Sequence, residues 1–137
     1  MNLFELKQSF VFVFFGLVSV VATYFVLTKN YNYPIWIAAI AMGCFSTLVL
    51  NINNVRDLEK DKIAHKNTFP VWLGFAKSRV YHICLSGVAS ILMLNLLVHY
   101  NTPFLGIAMF GFVVILHQFL ELKQEQYEEY NKQLKFT

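Results

Sequence analysis

Aspartate is scarce in this 137-residue chain, which has only Asp57 and Asp61. Charged residues of either sign make up 14% of it and hydrophobic ones 57%. That balance argues against a soluble domain, which would have too little polar surface to cover its apolar groups. Cysteine is equally scarce. Cys44 and Cys84 both fall within apolar runs, at no spacing suited to a metal site or a disulfide framework, and read as small apolar residues. No Ser, Cys or His has a base at a recognisable spacing, which leaves nothing from which to build a nucleophilic catalyst. The net charge of +3 sits in segments between the apolar runs, so it reports topology, and nucleic acid is not an expected partner.

What the chain does have is apolar length. A membrane helix needs roughly 20 predominantly apolar residues to cross a hydrocarbon core about 30 Å thick. Four stretches qualify, at about residues 9–28, 33–52, 80–99 and 103–120. Pro34 suits a first helical turn at the start of the second, and Asn101 or Thr102 is placed to cap the fourth. The first stretch is longer than the core of a secretory signal, has no small-residue cleavage site before Lys29, and is followed by further spans, so it reads as a span itself. The expected fold is all-α and integral to the membrane: four transmembrane helices in two hairpins, joined by one long loop at about residues 53–79.

Lys7 precedes the first span, six Lys and Arg residues lie between the second and third, and Lys123, Lys132 and Lys135 follow the fourth, whereas only Lys29 lies opposite. By the positive-inside rule both termini and the middle loop are expected on the cytoplasmic face of an inner or plasma membrane, with the lipid bilayer as partner. Ala39 with Gly43, and Gly87 with Ser90, are small-residue pairs that would let a neighbouring helix approach closely. Asn95 is expected to form an interhelical hydrogen bond. His82, His117 and Gln118 are expected to be solvated at the interface, with Tyr33, Tyr81 and Tyr100 in aromatic belts. Glu121, Glu125 and Glu129 share one face of a polar helical tail, which reads as a solvated surface.

The polar segment between the second and third spans reads NINNVRDLEKDKIAHKNTFPVWLG over residues 51–74. If the helix continues into it, Asn53, Asp57 and Asp61 stand at i, i+4 and i+8 and line one face as a ladder of oxygen ligands. Two carboxylates and an amide suit Mg²⁺, a hard cation that commonly takes one or two carboxylates and completes its shell with water and phosphate oxygens. Arg56, Lys62 and Lys66 offer cations for a departing diphosphate. On spacing alone, a basic loop that merely sets topology explains the same residues, and a small non-enzymatic membrane protein that docks a partner stands as the alternative.

The run Asn53-Asn54-Val55-Arg56-Asp57 with Asp61, followed by Lys66-x-Thr68 and Leu73-Gly74, resembles the second aspartate-rich motif of the UbiA superfamily of prenyltransferases. The nearest branch is that of the 1,4-dihydroxy-2-naphthoate polyprenyltransferases of menaquinone biosynthesis. Residues 10–25 resemble the family's helix two spans upstream of the motif, and residues 76–81 the start of the helix that follows it. The resemblance implies part of a bundle of about nine helices. It also implies that Asp57 and Asp61 hold Mg²⁺ against the diphosphate of a polyprenyl donor, with Asn53 as a further ligand and Arg56 and Lys66 on the diphosphate. The implied reaction ionises the allylic carbon–oxygen bond, and the resulting cation is attacked by an aromatic acceptor that loses its carboxyl group.

The chain departs from the family pattern at His65, where a Gly usually precedes the motif lysine, and at Trp72, where an Arg is usual. Phe69-Pro70 replaces small aliphatic residues. The family also carries a first aspartate-rich motif, for which this chain has no aspartate to spare. The chain alone is therefore expected to be incompetent in catalysis unless a second polypeptide supplies that motif and the remaining helices.

Overall fold

The computed structural model describes residues 3–101, 106 and 113. The fourth apolar stretch and the glutamate-rich tail, with His117 and Gln118, lie outside the described residues apart from those two isolated positions. Among the described residues the protein is helical without a strand. Helix α1 (Leu3–Val11) runs through a π-helical segment (Phe12–Val18) into α2 (Ser19–Thr28), then α3 (Tyr33–Arg56), two short helices α4 (Leu58–Ile63) and α5 (Phe69–Leu73), and α6 (Phe75–Tyr100). Among the described residues three helical stretches are long and apolar enough to cross a membrane: Lys7–Thr28, Tyr33–Arg56 and Phe75–Tyr100.

Local chemistry sets the ends of these helices. Lys29 closes α2 in the left-handed conformation, its N–H donating to Phe25 O, and the Lys29 ammonium lies 5.7 Å from the Phe25 ring centre. Asn32 caps α3 by accepting from the Ile35 N–H at 3.2 Å, and Pro34 occupies the first turn, where its missing N–H costs no hydrogen bond. At the other connection, Thr102 and the start of the fourth stretch lie outside the described residues. Asn101 closes α6 as a left-handed C-cap, a conformation Asn tolerates better than most side chains.

Helix α3 is the centre of the bundle, packed against both the π segment and α6. Ile37, Ala41, Cys44, Leu48, Asn51 and Val55 are buried along it at alternating steps of four and three, the spacing of a helix–helix seam. Helix α6 buries Ser78, His82, Ser86, Ala89 and Leu96. Mostly small side chains let the two backbones approach, and in a bilayer close packing is the main source of helix association.

The Ala39 and Gly43 pair works as expected, and its partner is Gly16 in the π segment. A Cβ on Gly16 would lie 2.5 Å from Gly43 Cα and 2.7 Å from the Ala39 carbonyl oxygen, distances no side chain can occupy. The Gly87 pair is not used in this way: nothing among the described residues lies within 4 Å of a Cβ built there. Asn95 likewise is exposed and makes no side-chain hydrogen bond among the described residues. The outward faces carry Phe10, Phe14, Phe15, Val18 and Val26 exposed, a surface suited to acyl chains.

Candidate functional site

The helix that delivers the aspartates ends just before the first of them. Asp57 has φ −93° and ψ 9°, outside the helical basin, and α4 restarts at Leu58. The hydrogen-bond ladder nonetheless crosses the break. The Asp57 N–H donates to Asn53 O at 3.1 Å and the Asp61 N–H to Asp57 O at 2.8 Å, so the three residues stay one turn apart.

They do not share one environment. Residues four apart on an α-helix drift by about 40° per step, so Asn53 and Asp61 differ by roughly 80° in direction. Asn53 is accordingly exposed, Asp57 half-buried, and Asp61 only 6% exposed, on the side of the helix that buries Val55 and Leu58. The ladder leads from solvent into the protein instead of lining one surface.

Each carboxylate has a cation. Arg56 donates to Asp57 through Nε at 3.1 Å and Nη2 at 3.2 Å. Lys66 Nζ donates to Asp61 Oδ1 at 3.1 Å, its own side chain 65% exposed and that of Asp61 8%. Lys62 pairs with Glu59 at 2.9 Å on the same loop. A buried carboxylate held by a solvent-facing lysine can meet an anion without first losing its partner, because the ammonium has two further protons to donate.

Lys66 is positioned by a tight turn. His65 has φ 50°, and the His65 and Lys66 N–H groups fold back onto Lys62 O and Asp61 O. The left-handed conformation explains the glycine usual before the motif lysine, and the histidine here adopts it at a steric cost. Two residues on, Thr68 precedes α5 with an extended backbone. Its Oγ1 is buried without a hydrogen-bond partner. Pro70 contributes to this, since a hydroxyl at that position commonly caps the second N–H of the helix and proline has none. Gly74 then turns the chain into α6 at φ 81° and ψ 162°, a region essentially confined to glycine.

Below the loop, buried polar groups clamp the helices together. Asn51 is fully buried, and its amide reaches Ser78 O and His82 Nδ1, both at 3.4 Å. His82 is 1% exposed, which corrects the expectation of interfacial solvation: small neighbours let α3 approach and cover it. Tyr81 is half-buried and donates to Gln8 Oε1 at 2.8 Å. Asn51 and Gln8 are not singled out by the sequence, and Thr68 is singled out only as part of the motif Lys66-x-Thr68, since burial of an isolated polar side chain depends on tertiary packing.

The donor set fits a small hard cation in part. Among the described residues no three of His, Cys, Asp and Glu gather as a metal-binding group. Two carboxylates one turn apart, each paired with a cation, instead suit a metal that takes its remaining ligands from water and phosphate oxygens.

A membrane protein of apolar helices with an acid-and-base loop at one end is the class these features define. The chain belongs to the UbiA prenyltransferase family, whose model matches residues 4–137. It is similar to proteins named 1,4-dihydroxy-2-naphthoate octaprenyltransferase. The one from Haemophilus influenzae is 48% identical over 81 residues, 59% of this chain and 26% of the relative. Its counterpart in Escherichia coli K12 is 41% identical over 75 residues, 55% of this chain and 24% of the relative. That of Mycobacterium leprae is 36% identical over 88 residues, 64% and 30% of the two chains. The chain thus spans roughly a quarter to a third of the length of these curated relatives. No solved structure matches it significantly.

Proposed function

We propose that this chain contributes one metal–diphosphate half-site to an enzyme that moves a polyprenyl group from an allylic diphosphate to an aromatic acceptor in menaquinone biosynthesis. The names of its relatives suggest 1,4-dihydroxy-2-naphthoate as the acceptor and an octaprenyl donor. The observation that carries the reading is the buried Asp61 carboxylate on a solvent-facing Lys66, two residues before Thr68, whose buried hydroxyl has no hydrogen-bond partner among the described residues. A topology-setting loop has no need to bury an aspartate, because burying a charge costs several kcal/mol unless something compensates it.

In this reading Asp57 and Asp61 hold Mg²⁺, and Arg56, Lys66 and Asn53 face the diphosphate oxygens, with Thr68 as a further donor. Mg²⁺ would supply charge neutralisation of the leaving diphosphate. The side chains of the loop orient the donor and add hydrogen bonds that strengthen as the leaving group gains charge. The apolar helices keep water from the allylic cation. Both termini and the loop face the cytoplasm. One Mg²⁺ held by two aspartates cannot offset the charge of a whole diphosphate, so turnover requires a second metal-holding carboxylate cluster from a further segment or polypeptide, and the chain alone is inactive.

The test is binding of a non-ionising prenyl thiodiphosphate to the chain in nanodiscs, with and without Mg²⁺. Wild type should bind at least ten-fold more tightly with Mg²⁺, and Asp57→Asn should remove that dependence. Unchanged Mg²⁺-dependent binding in the variant overturns the site assignment.

A further inference from the structure

A cleft of about 390 Å³ opens between the first helix, α3 and α6, within the size range of small-molecule sites. Gln8, Phe69 and Tyr81 lie at its loop end, and Phe12, Thr47 and Leu85 extend it toward the apolar layer. Phe69 packs on Tyr81 with ring centres 4.9 Å apart, and it stands three residues beyond Lys66. The cleft therefore adjoins the aspartate loop without sharing its carboxylates.

One polar group in it is unaccounted for. Gln8 is 8% exposed; its Oε1 accepts from Tyr81, while its Nε2 is buried with no partner among the described residues. Turning the amide over does not help: the tyrosine hydroxyl then accepts from Nε2, and Oε1 is orphaned instead. Either way one buried amide atom is left without a protein partner among the described residues, which costs its full desolvation penalty. A prenyl tail has no atom to offer it. A planar ring bearing a hydroxyl or carboxyl group has both an acceptor and an edge that packs against Phe12, Phe69 and Tyr81.

We propose that this cleft binds a hydroxylated or carboxylated aromatic ring, with Gln8 and Tyr81 as its specificity-determining pair. The inference deepens the prenyl-transfer reading by giving its acceptor a place, and rests on that reading for the choice of ring. Gln8 and Tyr81 act as positioning residues, holding the ring beside the loop while taking no part in ionisation.

The experiment uses 1-hydroxy-2-naphthoate as a stable fluorescent probe, titrated into the full chain in nanodiscs without Mg²⁺ or diphosphate. Wild type should bind it saturably. Gln8→Met and Tyr81→Phe should each weaken binding at least ten-fold. Tyr81→Phe retains the ring packed on Phe69 and serves if Gln8→Met fails to fold. Naphthalene, which lacks the polar groups, should bind wild type and variants alike, a result that a merely structural role would not give. Asp57→Asn should leave probe binding unchanged, so failure of the metal–diphosphate assignment and failure of this one are separable. Non-saturable binding to wild type, or binding by both variants as tight as that of wild type, overturns the proposal.

Discussion

Two residues of the loop, His65 and Gly74, have positive φ, and they respond oppositely to substitution. His65 adopts a left-handed conformation at φ 50° that glycine takes without penalty. His65→Gly should stabilise the chain by roughly 0.5–1 kcal/mol, offset partly by the greater freedom of glycine in the unfolded state. Gly74, at φ 81°, has open space around a would-be Cβ, so its requirement is conformational and not steric crowding. Gly74→Ala should cost about 1–3 kcal/mol. Unfolding titrations of both variants in mixed micelles read the two shifts, and the same sign for both would show that backbone strain does not govern the loop. The motif residues were legible in the sequence because their spacing is local and helical. Their unequal burial was not, because it depends on which sides of α3 and α4 meet α5. The orphaned hydroxyl of Thr68 and the buried amide of Gln8 were illegible for the same reason: nothing local distinguishes a solvated polar side chain from a stranded one.

Among the helices, the crossing of the π segment over α3 is the tightest constraint. The sequence marks Ala39 and Gly43 as one half of a close approach, yet the other half, Gly16, lies in an apolar run with nothing in its neighbours to single it out. The π-helical turn around Gly16 was equally invisible, since a one-residue widening of a helix leaves no compositional trace. Gly16→Ala places a methyl group 2.5 Å from Gly43 Cα, and only separation of the backbones can relieve it. The expected loss is roughly 1–3 kcal/mol of stability, whereas Gly87→Ala, with nothing within 4 Å among the described residues, should be close to neutral. Equal effects of the two substitutions would contradict the crossing. The boundaries of α3 and α6 were read short at the loop side, because the polar residues of their last and first turns look like loop until the helix is seen to carry them.

For the whole molecule, three of the four expected apolar spans are helices among the described residues, and they were legible because a bilayer tolerates only backbone that satisfies itself; the orientation read from Lys and Arg is a proposal. Single cysteines placed at Asn30 and at Lys60, in a background with Cys44 and Cys84 replaced by alanine, report orientation. An impermeant maleimide added outside intact cells should label the first and spare the second, and the reverse pattern would invert the proposed topology. The proposed activity turns on whether Asp57 and Asp61 bind a divalent cation jointly with a diphosphate. Mn²⁺ replaces Mg²⁺ well at oxygen ligands and is observed directly by electron paramagnetic resonance. Titration of Mn²⁺ into the chain in nanodiscs should show weak binding alone and at least ten-fold tighter binding with a prenyl thiodiphosphate, and both should vanish in the Asp57→Asn, Asp61→Asn double variant. Mn²⁺ binding that ignores the diphosphate, or that survives the double variant, would contradict the metal–diphosphate half-site.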